Sequence, residues 1–308
     1  MRTGPSTPCT VRDFCVTLWK HAGFGHGSEM NPSDSGTLAV PGATIYYEVR
    51  GEGPLLLLIG GGNSDAAVFK RLAAVLAAGH RVVTYDPRGN SRSVLDGPPV
   101  DQRVEEHADD AYRLIHHLAG PDEPVYVFGS CSGGLVALEL TVRHPDRIRL
   151  AVAHEPPVLA ILPDARLHMA LLDDICRTYR SAGMAPALVK LQALHGGRPA
   201  PALPGEHDNT AFFLSHFVLP FTRFVPDLTA LGEVSEKVVW AGGHASRGDL
   251  VHRPVLALAE RFGRVVELFP GGHVGYARYP ADFAERIVEI LTTAPGAVDR
   301  PRETTGGL

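Results

Sequence analysis

One segment pairs a reactive side chain with a turn able to expose it: Val127-Phe128-Gly129-Ser130-Cys131-Ser132-Gly133-Gly134. An apolar strand pattern runs up to Phe128, and Leu135-Val136-Ala137-Leu138-Glu139-Leu140 beyond the glycines reads as a helix. A nucleophile on a sharp strand-to-helix turn needs small residues two before and two after it, where other backbone comes close. With Cys131 at the apex, Gly129 and Gly133 fill both places. Placing Ser132 there puts Ser130 and Gly134 in those positions, a poorer match, and placing Ser130 there puts Phe128 at the crowded site. The chemistry expected of Cys131 is thiolate attack on an activated acyl group, giving a thioester on the enzyme. The plainer reading is a buried, inert cysteine opening a helix, as free cysteines often are. The paired glycines argue against it.

Composition limits what such a residue serves. A chain of 308 residues holds one large α/β domain with an insertion, or two small domains. Its net charge is −5, and its 29 Lys and Arg form no stripe, so no nucleic-acid partner is expected. No apolar run nears the roughly 20 residues that span a bilayer, so no membrane partner is expected either. Cysteines at 9, 15, 131 and 176 form neither a paired framework nor a zinc knuckle. The expectation is therefore a cytoplasmic protein without metal or cofactor, acting on a small-molecule acyl substrate, with a homodimer allowed for. No basic stretch followed by an apolar core marks a secretory leader. Residues 1–35, rich in Gly, Ser, Pro and His, are expected to be a disordered extension with at most a short amphipathic turn around Phe14–Trp19. Met30 is an alternative start, and 296–308 is expected to be a flexible tail.

The elements that must position Cys131 follow from hydrophobic period. Thr37–Val40 and Ala43–Val49 alternate around Pro41-Gly42 and read as a hairpin. Leu55–Ile59 reads as a strand buried on both faces, closing in Gly60-Gly61-Gly62. A helix over Asp65–Ala78, a strand at Arg81–Tyr85 and a helix at Val104–Leu118 come next. Val125–Phe128 leads into the cysteine turn, and Ile148–His154 follows its helix. Lys237–Trp240 and Val265–Phe269 are the last strands, before a helix opening at Pro280. Alternating strands and helices predict a mostly parallel sheet covered by helices. Between Pro157 and Gly232 only helical signals occur, at Asp164–Ser181, Ala185–Leu194 and Asn209–Phe224, with a Pro/Gly-rich connection at 196–205. The expected division is a core of 36–156 and 233–295 with a helical cap of 157–232 over the C-terminal edge of the strands, where open α/β sheets bind ligands.

In this order the motifs resemble the α/β-hydrolase superfamily over residues 37 to 292. They are Gly51-Glu52-Gly53-Pro54, the turn at 60–62, Tyr85-Asp86-Pro87-Arg88-Gly89, the Cys131 turn, Arg143-His144-Pro145-Asp146-Arg147 and Pro270-Gly271-Gly272-His273. Cysteine at the apex resembles the choice made by dienelactone hydrolases. The resemblance implies that His273 is the base, taking the proton of Cys131 and later activating water. It also implies an oxyanion hole made by the N–H of Ser132 and an N–H of Gly61 or Gly62. A phosphate-binding loop is the alternative for those glycines, but no Lys-Ser/Thr pair follows them. The usual place for the acid is after Lys237–Trp240, where Ser246 stands and Asp249 comes three residues late. Glu155, 24 residues after Cys131, is the favoured acid, as in relatives that include a branch of haloalkane dehalogenases. Asp249 and an acid-free Cys–His dyad stay open, and Glu155 could instead be a carboxylate paired with His154 or an arginine.

In the cap, Phe212, Phe213, His216, Phe217, Phe221 and Phe224 crowd one helix. Such a stripe is more often core packing, with Phe213, His216 and Phe217 the candidates to wall an apolar pocket. Three functions fit these features. The first is hydrolysis of an ester, lactone or thioester of a small apolar molecule. The second is an acyltransferase or cyclase that hands the acyl group to another nucleophile. The third is a ligand-binding or lyase descendant of the fold. A dehalogenase or epoxide hydrolase is disfavoured, because those need a carboxylate at the apex.

Overall fold

The computed structural model describes residues 34–198 and 209–293. The expectations for the N-terminal extension to residue 33, for most of the 196–205 connection and for the C-terminal tail lie outside them. The sheet runs in the order β1-β2-β4-β3-β6-β7-β8-β9, with short β5 on β2. β1 (Asp34–Val40) and β2 (Ala43–Arg50) form the expected hairpin, turned by Gly42 at φ 80°. β2 also pairs antiparallel with β4 (Arg81–Tyr85) and with β5 (Val94–Leu95). From β4 through β3 (Leu55–Ile59), β6 (Val125–Ser130), β7 (Ile148–His154), β8 (Val238–Gly243) and β9 (Glu267–Phe269) every pairing is parallel. This is the mostly parallel sheet that the strand alternation predicts.

All five residues of β3 are buried, as a strand covered on both faces must be. Leu55, Leu57 and Ile59 join the core beneath α2 (Val104–Leu118) and α3 (Ser132–Arg143). Leu56 and Leu58 face the opposite core, which α1 (Lys70–Leu76) and the final helix share through Leu72, Phe283 and Ile287. Period-2 alternation thus serves two helix layers.

Some expected elements differ in extent. The helix read over 65–78 is a 3₁₀ turn, Ala66–Phe69, capped by the Asp65 side chain, and then α1. The strand read at Lys237–Trp240 runs on to Gly243, and the one read from Val265 begins only at Glu267. Between β7 and β8 lie α4 (Ala165–Ala182), α5 (Met184–Leu191), a helix over 210–223 called α6, and α7 (Leu228–Glu233). The middle of α6, Phe213–Phe217, is π-helical. Helix α8 (Arg253–Arg261), after β8, had no place in the periodicity reading.

Candidate active site

Strand β6 delivers Cys131 into a backbone conformation that L-residues rarely adopt, φ 57° and ψ −127°. Its N–H donates to the carbonyl of His154 at the end of β7, 2.9 Å away. A Cβ on Gly129 would sit 2.1 Å from the carbonyl oxygen of Gly133, and one on Gly133 would sit 2.2 Å from that of Ile59. Both glycines are therefore obligatory, and they are the two that set the register at Cys131. Of the flanking serines, Ser130 turns inward to the Nδ1 of His154 at 3.0 Å.

The side chains named from sequence now fall into two sets. His273, in the loop after β9, directs Nδ1 to Glu155 Oε2 at 2.7 Å and hydrogen-bonds Cys131 on its other side. Glu155, the first residue after β7, is fully buried, with φ 46°. Asp249 does not take part: its carboxylate pairs with Arg198. Ser246, standing where an aspartate was looked for, donates its hydroxyl to Glu155 Oε1. That oxygen also accepts the N–H of Gly243 at 2.9 Å and Nδ1 of His252 at 2.8 Å. His252 was missed because its only signals were a position after β8 and a histidine among 15.

Electrostatics follow from these contacts. Burial alone would push the Glu155 carboxyl up, but hydrogen bonds from His252 and His273 overcome it and hold the group well below its usual range. Burial opposes charge on the other two groups as well. For Cys131, the His273 charge, the His273 hydrogen bond and the Ser132 N–H prevail, and its pKa is lowered. For His273, the Cys131 charge and the hydrogen bonds to Cys131 and Glu155 prevail, raising it to about 10. The arrangement favours a thiolate–imidazolium pair resting on an ionised glutamate.

Across from Cys131 lies the glycine turn after β3. A Cβ on Gly61 would lie 3.5 Å from the Cys131 Cβ and 3.9 Å from Sγ, so Gly61 faces the Cys131 side chain directly. Gly62 sits under α6, where a Cβ would come within 2.5 Å of Phe217. The carbonyls of this turn are occupied: Ser64 donates to Gly61 from N and Oγ, and Asn90 Nδ2 donates to Gly62 at 2.9 Å. Ser132 opens α3, so its N–H is one of the helix-terminal donors left without an intrahelical partner.

A cavity of about 120 Å³ opens over Cys131 and His273. Phe213 and Phe217 line it, together with Phe221, Leu172 and Leu191. His216 does not: its ring turns to Asp101, 3.3 Å away, and this corrects its placement as a pocket wall. Its neighbours on α6 follow the core side of the helix, and a π turn shifts the helical register by one residue. His195 lines the cavity too and went unread in the sequence. Among the described residues no cluster of His, Cys, Asp and Glu is arranged to hold a metal ion. No helix among them is long and apolar enough to cross a membrane.

The chain is similar to known proteins over most of its length. Residues 54–188 match the family model described as alpha/beta hydrolase fold. The chain is similar to the uncharacterized hydrolase YraK of Bacillus subtilis (strain 168), with 38% identity over 267 residues, covering 84% of this chain and 96% of YraK. It is also similar to a zearalenone hydrolase of Bionectria ochroleuca, with 29% identity over 263 residues, covering 82% and 96%. Among solved structures, a thermophilic esterase from Thermogutta terrifontis superposes with a TM-score of 0.65 at 19% identity, over 85% of this chain and 99% of the esterase. A likeness of that degree speaks for the fold. The near full-length match to YraK goes further, and by it the chain belongs to the α/β-hydrolase superfamily.

Proposed function

We propose that the protein hydrolyses an ester, lactone or thioester of a small apolar molecule through an S-acyl-enzyme on Cys131. The observation that carries this reading is the line from Cys131 through His273 to Glu155, with 2.7 Å between His273 Nδ1 and Glu155 Oε2. The Cys131 thiolate attacks the scissile carbonyl carbon, and the carbonyl π pair moves onto oxygen. That oxyanion is received by the N–H of Ser132 and an N–H of the Gly61–Gly62 turn. As the tetrahedral intermediate collapses, His273 gives its Nε2 proton to the departing oxygen or sulfur, leaving a thioester on Cys131. Water then gives a proton to His273 and its oxygen to the acyl carbon. A second collapse returns the thiolate and releases the acid. Glu155 stays ionised throughout and stabilises the imidazolium.

The test is intact-protein mass spectrometry with p-nitrophenyl and thioester acyl donors. An acyl mass on Cys131 that persists in His273→Ala, and is absent from Cys131→Ala, is expected. No adduct and no turnover of any activated donor by the wild type overturns the reading. Glu155→Gln should lower kcat by about 10⁴-fold if it acts as the orienting acid, whereas Asp249→Asn should cost far less. The apolar lining of the cavity favours a second reading, acyl transfer to an alcohol or amine. Product analysis with an added alcohol separates the two, since transfer makes a new ester and hydrolysis makes only the acid.

A further inference from the structure

The cavity over Cys131 is walled mainly by apolar side chains, with four polar residues outside the line from Cys131 to Glu155: Asn63, Ser132, His195 and Thr222. The Thr222 hydroxyl already donates to the Val218 carbonyl, and Asn63 belongs to the glycine turn after β3, which leaves two. The first is the hydroxyl of Ser132. That residue is 3% exposed, borders the cavity and has no hydrogen-bond partner for Oγ among the described residues. Leaving a buried hydroxyl unpaired costs free energy that an arriving hydrogen-bonding group recovers. The second is the imidazole of His195, whose ring centroid lies 5.3 Å from that of His273. Burial, and then the charge of His273, lower its pKa to about 4, so it is neutral near pH 7. No described lysine or arginine borders the cavity.

His195 is held in place by residues outside the proposed chemistry. The 3₁₀ turn Gln192–His195 ends at Gly196 with φ 63°, where a Cβ would lie 2.7 Å from Asp249 Oδ1. Two residues later Arg198 pairs with that same carboxylate. Asp249, first considered as an acid, is thus an anchor for the turn that presents His195.

We infer that Ser132 Oγ and the His195 ring determine specificity, and that the acyl group is small and uncharged with a hydroxyl or carbonyl oxygen beside the scissile carbonyl. This rests on the acyl-cleaving reading above. A hydroxyl suits both groups, since it accepts from the serine while donating to the imidazole. Size follows from the volume: an apolar protein cavity of about 150 Å³ holds benzene, so this one, of about 120 Å³, suits an acyl group of about five heavy atoms besides the carbonyl oxygen held by the N–H groups. A carboxylate in the same place would meet the Cys131 thiolate with no lysine or arginine in the wall, and the His273 imidazolium is already engaged by Cys131 and Glu155.

The test compares three p-nitrophenyl esters, of butanoate, 3-hydroxybutanoate and hemisuccinate. Wild-type kcat/KM should favour the hydroxy ester over butanoate by about tenfold, the value of one hydrogen bond, and should be lowest for hemisuccinate. Within Ser132→Ala and within His195→Phe, the ratio of hydroxy ester to butanoate should fall towards one, each variant serving as its own reference. If either variant turns over too slowly to measure, the same ratio is read from equilibrium binding of two uncleaved analogues, 4-hydroxypentan-2-one and pentan-2-one. A wild-type ratio near one, preference for hemisuccinate, or a ratio unchanged in both variants overturns the inference. Collapse in only one variant overturns the pairing and leaves recognition to that residue alone. Should the wild type cleave none of the three esters, the acyl-cleaving reading fails, and the ketone pair still decides whether these groups recognise a hydroxyl.

Discussion

Glu155 accepts four hydrogen bonds on two oxygens, two of them from imidazoles. In the proposed mechanism only the bond to His273 faces the chemistry, and the other three fix the carboxylate. His252, 2% exposed, is the most informative of these to remove. His252→Phe takes a donor from Oε1, so the Glu155 carboxyl should rise from its lowered position. We expect kcat to drop by about tenfold, with the acidic limb of the pH–rate profile moved to higher pH. His252→Asn keeps an N–H near the place of Nδ1 and should restore much of both. A steady-state pH series on the three proteins checks this, and an unmoved acidic limb in the Phe variant would assign His252 to packing alone. His252 could not be read from sequence because its partner lies 97 residues away, and only the fold brings β7 and the loop after β8 together.

At the scale of elements, α6 buttresses the glycine turn. Phe217 is 2% exposed, stacks on Phe221 at 3.9 Å between centroids and meets His107 edge-on at 5.0 Å. It also covers Gly62, where no side chain would fit. Phe217→Ala should cost about 3–5 kcal/mol of stability, measured by urea unfolding. It should also lower kcat more than it raises KM, because the turn proposed to receive the oxyanion loses its support. A KM effect alone would reduce Phe217 to a pocket wall. The aromatic stripe was legible as a stripe, but its division between core and cavity was not. The π turn at Phe213–Phe217 decides which ring points where, and no 3.6-residue period announces it. Strands β3, β6 and β7 were legible almost to the residue, since buried parallel strands read as unbroken apolar runs. Helix α8 escaped because Arg253-Pro254 opens it, a proline taken easily for loop.

For the molecule as a whole, a buried carboxylate makes stability depend on pH. Glu155 is held below its usual 4.5, so its contribution is present above that value and is lost as pH falls through the lowered one. Glu155→Gln should therefore be less stable than the wild type at neutral pH, with the gap closing as the solution is acidified below about 4.5. Urea unfolding at a series of pH values measures it, and a constant gap would mean that the effect is steric rather than ionic. The overall architecture needed no such experiment to be foreseen, for order and spacing of glycine turns between apolar runs already implied a doubly covered parallel sheet. Sequence favoured Glu155 as the carboxylate that meets His273 but left Asp249 open. Glu155 and Asp249 both follow strand ends, and it is Glu155 that lies 2.7 Å from His273 Nδ1, whereas the Asp249 carboxylate turns to Arg198.

The main-chain bond from Cys131 to His154 has a consequence for how such a site changes over time. It fixes the apex of one strand to the end of the next, and the residue after His154 is Glu155. Side-chain identity at 131 plays no part in that tie, so sulfur and oxygen are interchangeable there without rebuilding the scaffold. Each cysteine codon is a single base from a serine codon, and Cys131→Ser should keep the same fold, with an unchanged far-ultraviolet circular dichroism spectrum as the check. If Cys131 acts as proposed, a lineage carrying this frame is one point mutation from exchanging a soft nucleophile for a hard one, and its repertoire of leaving groups can drift while its architecture stands still.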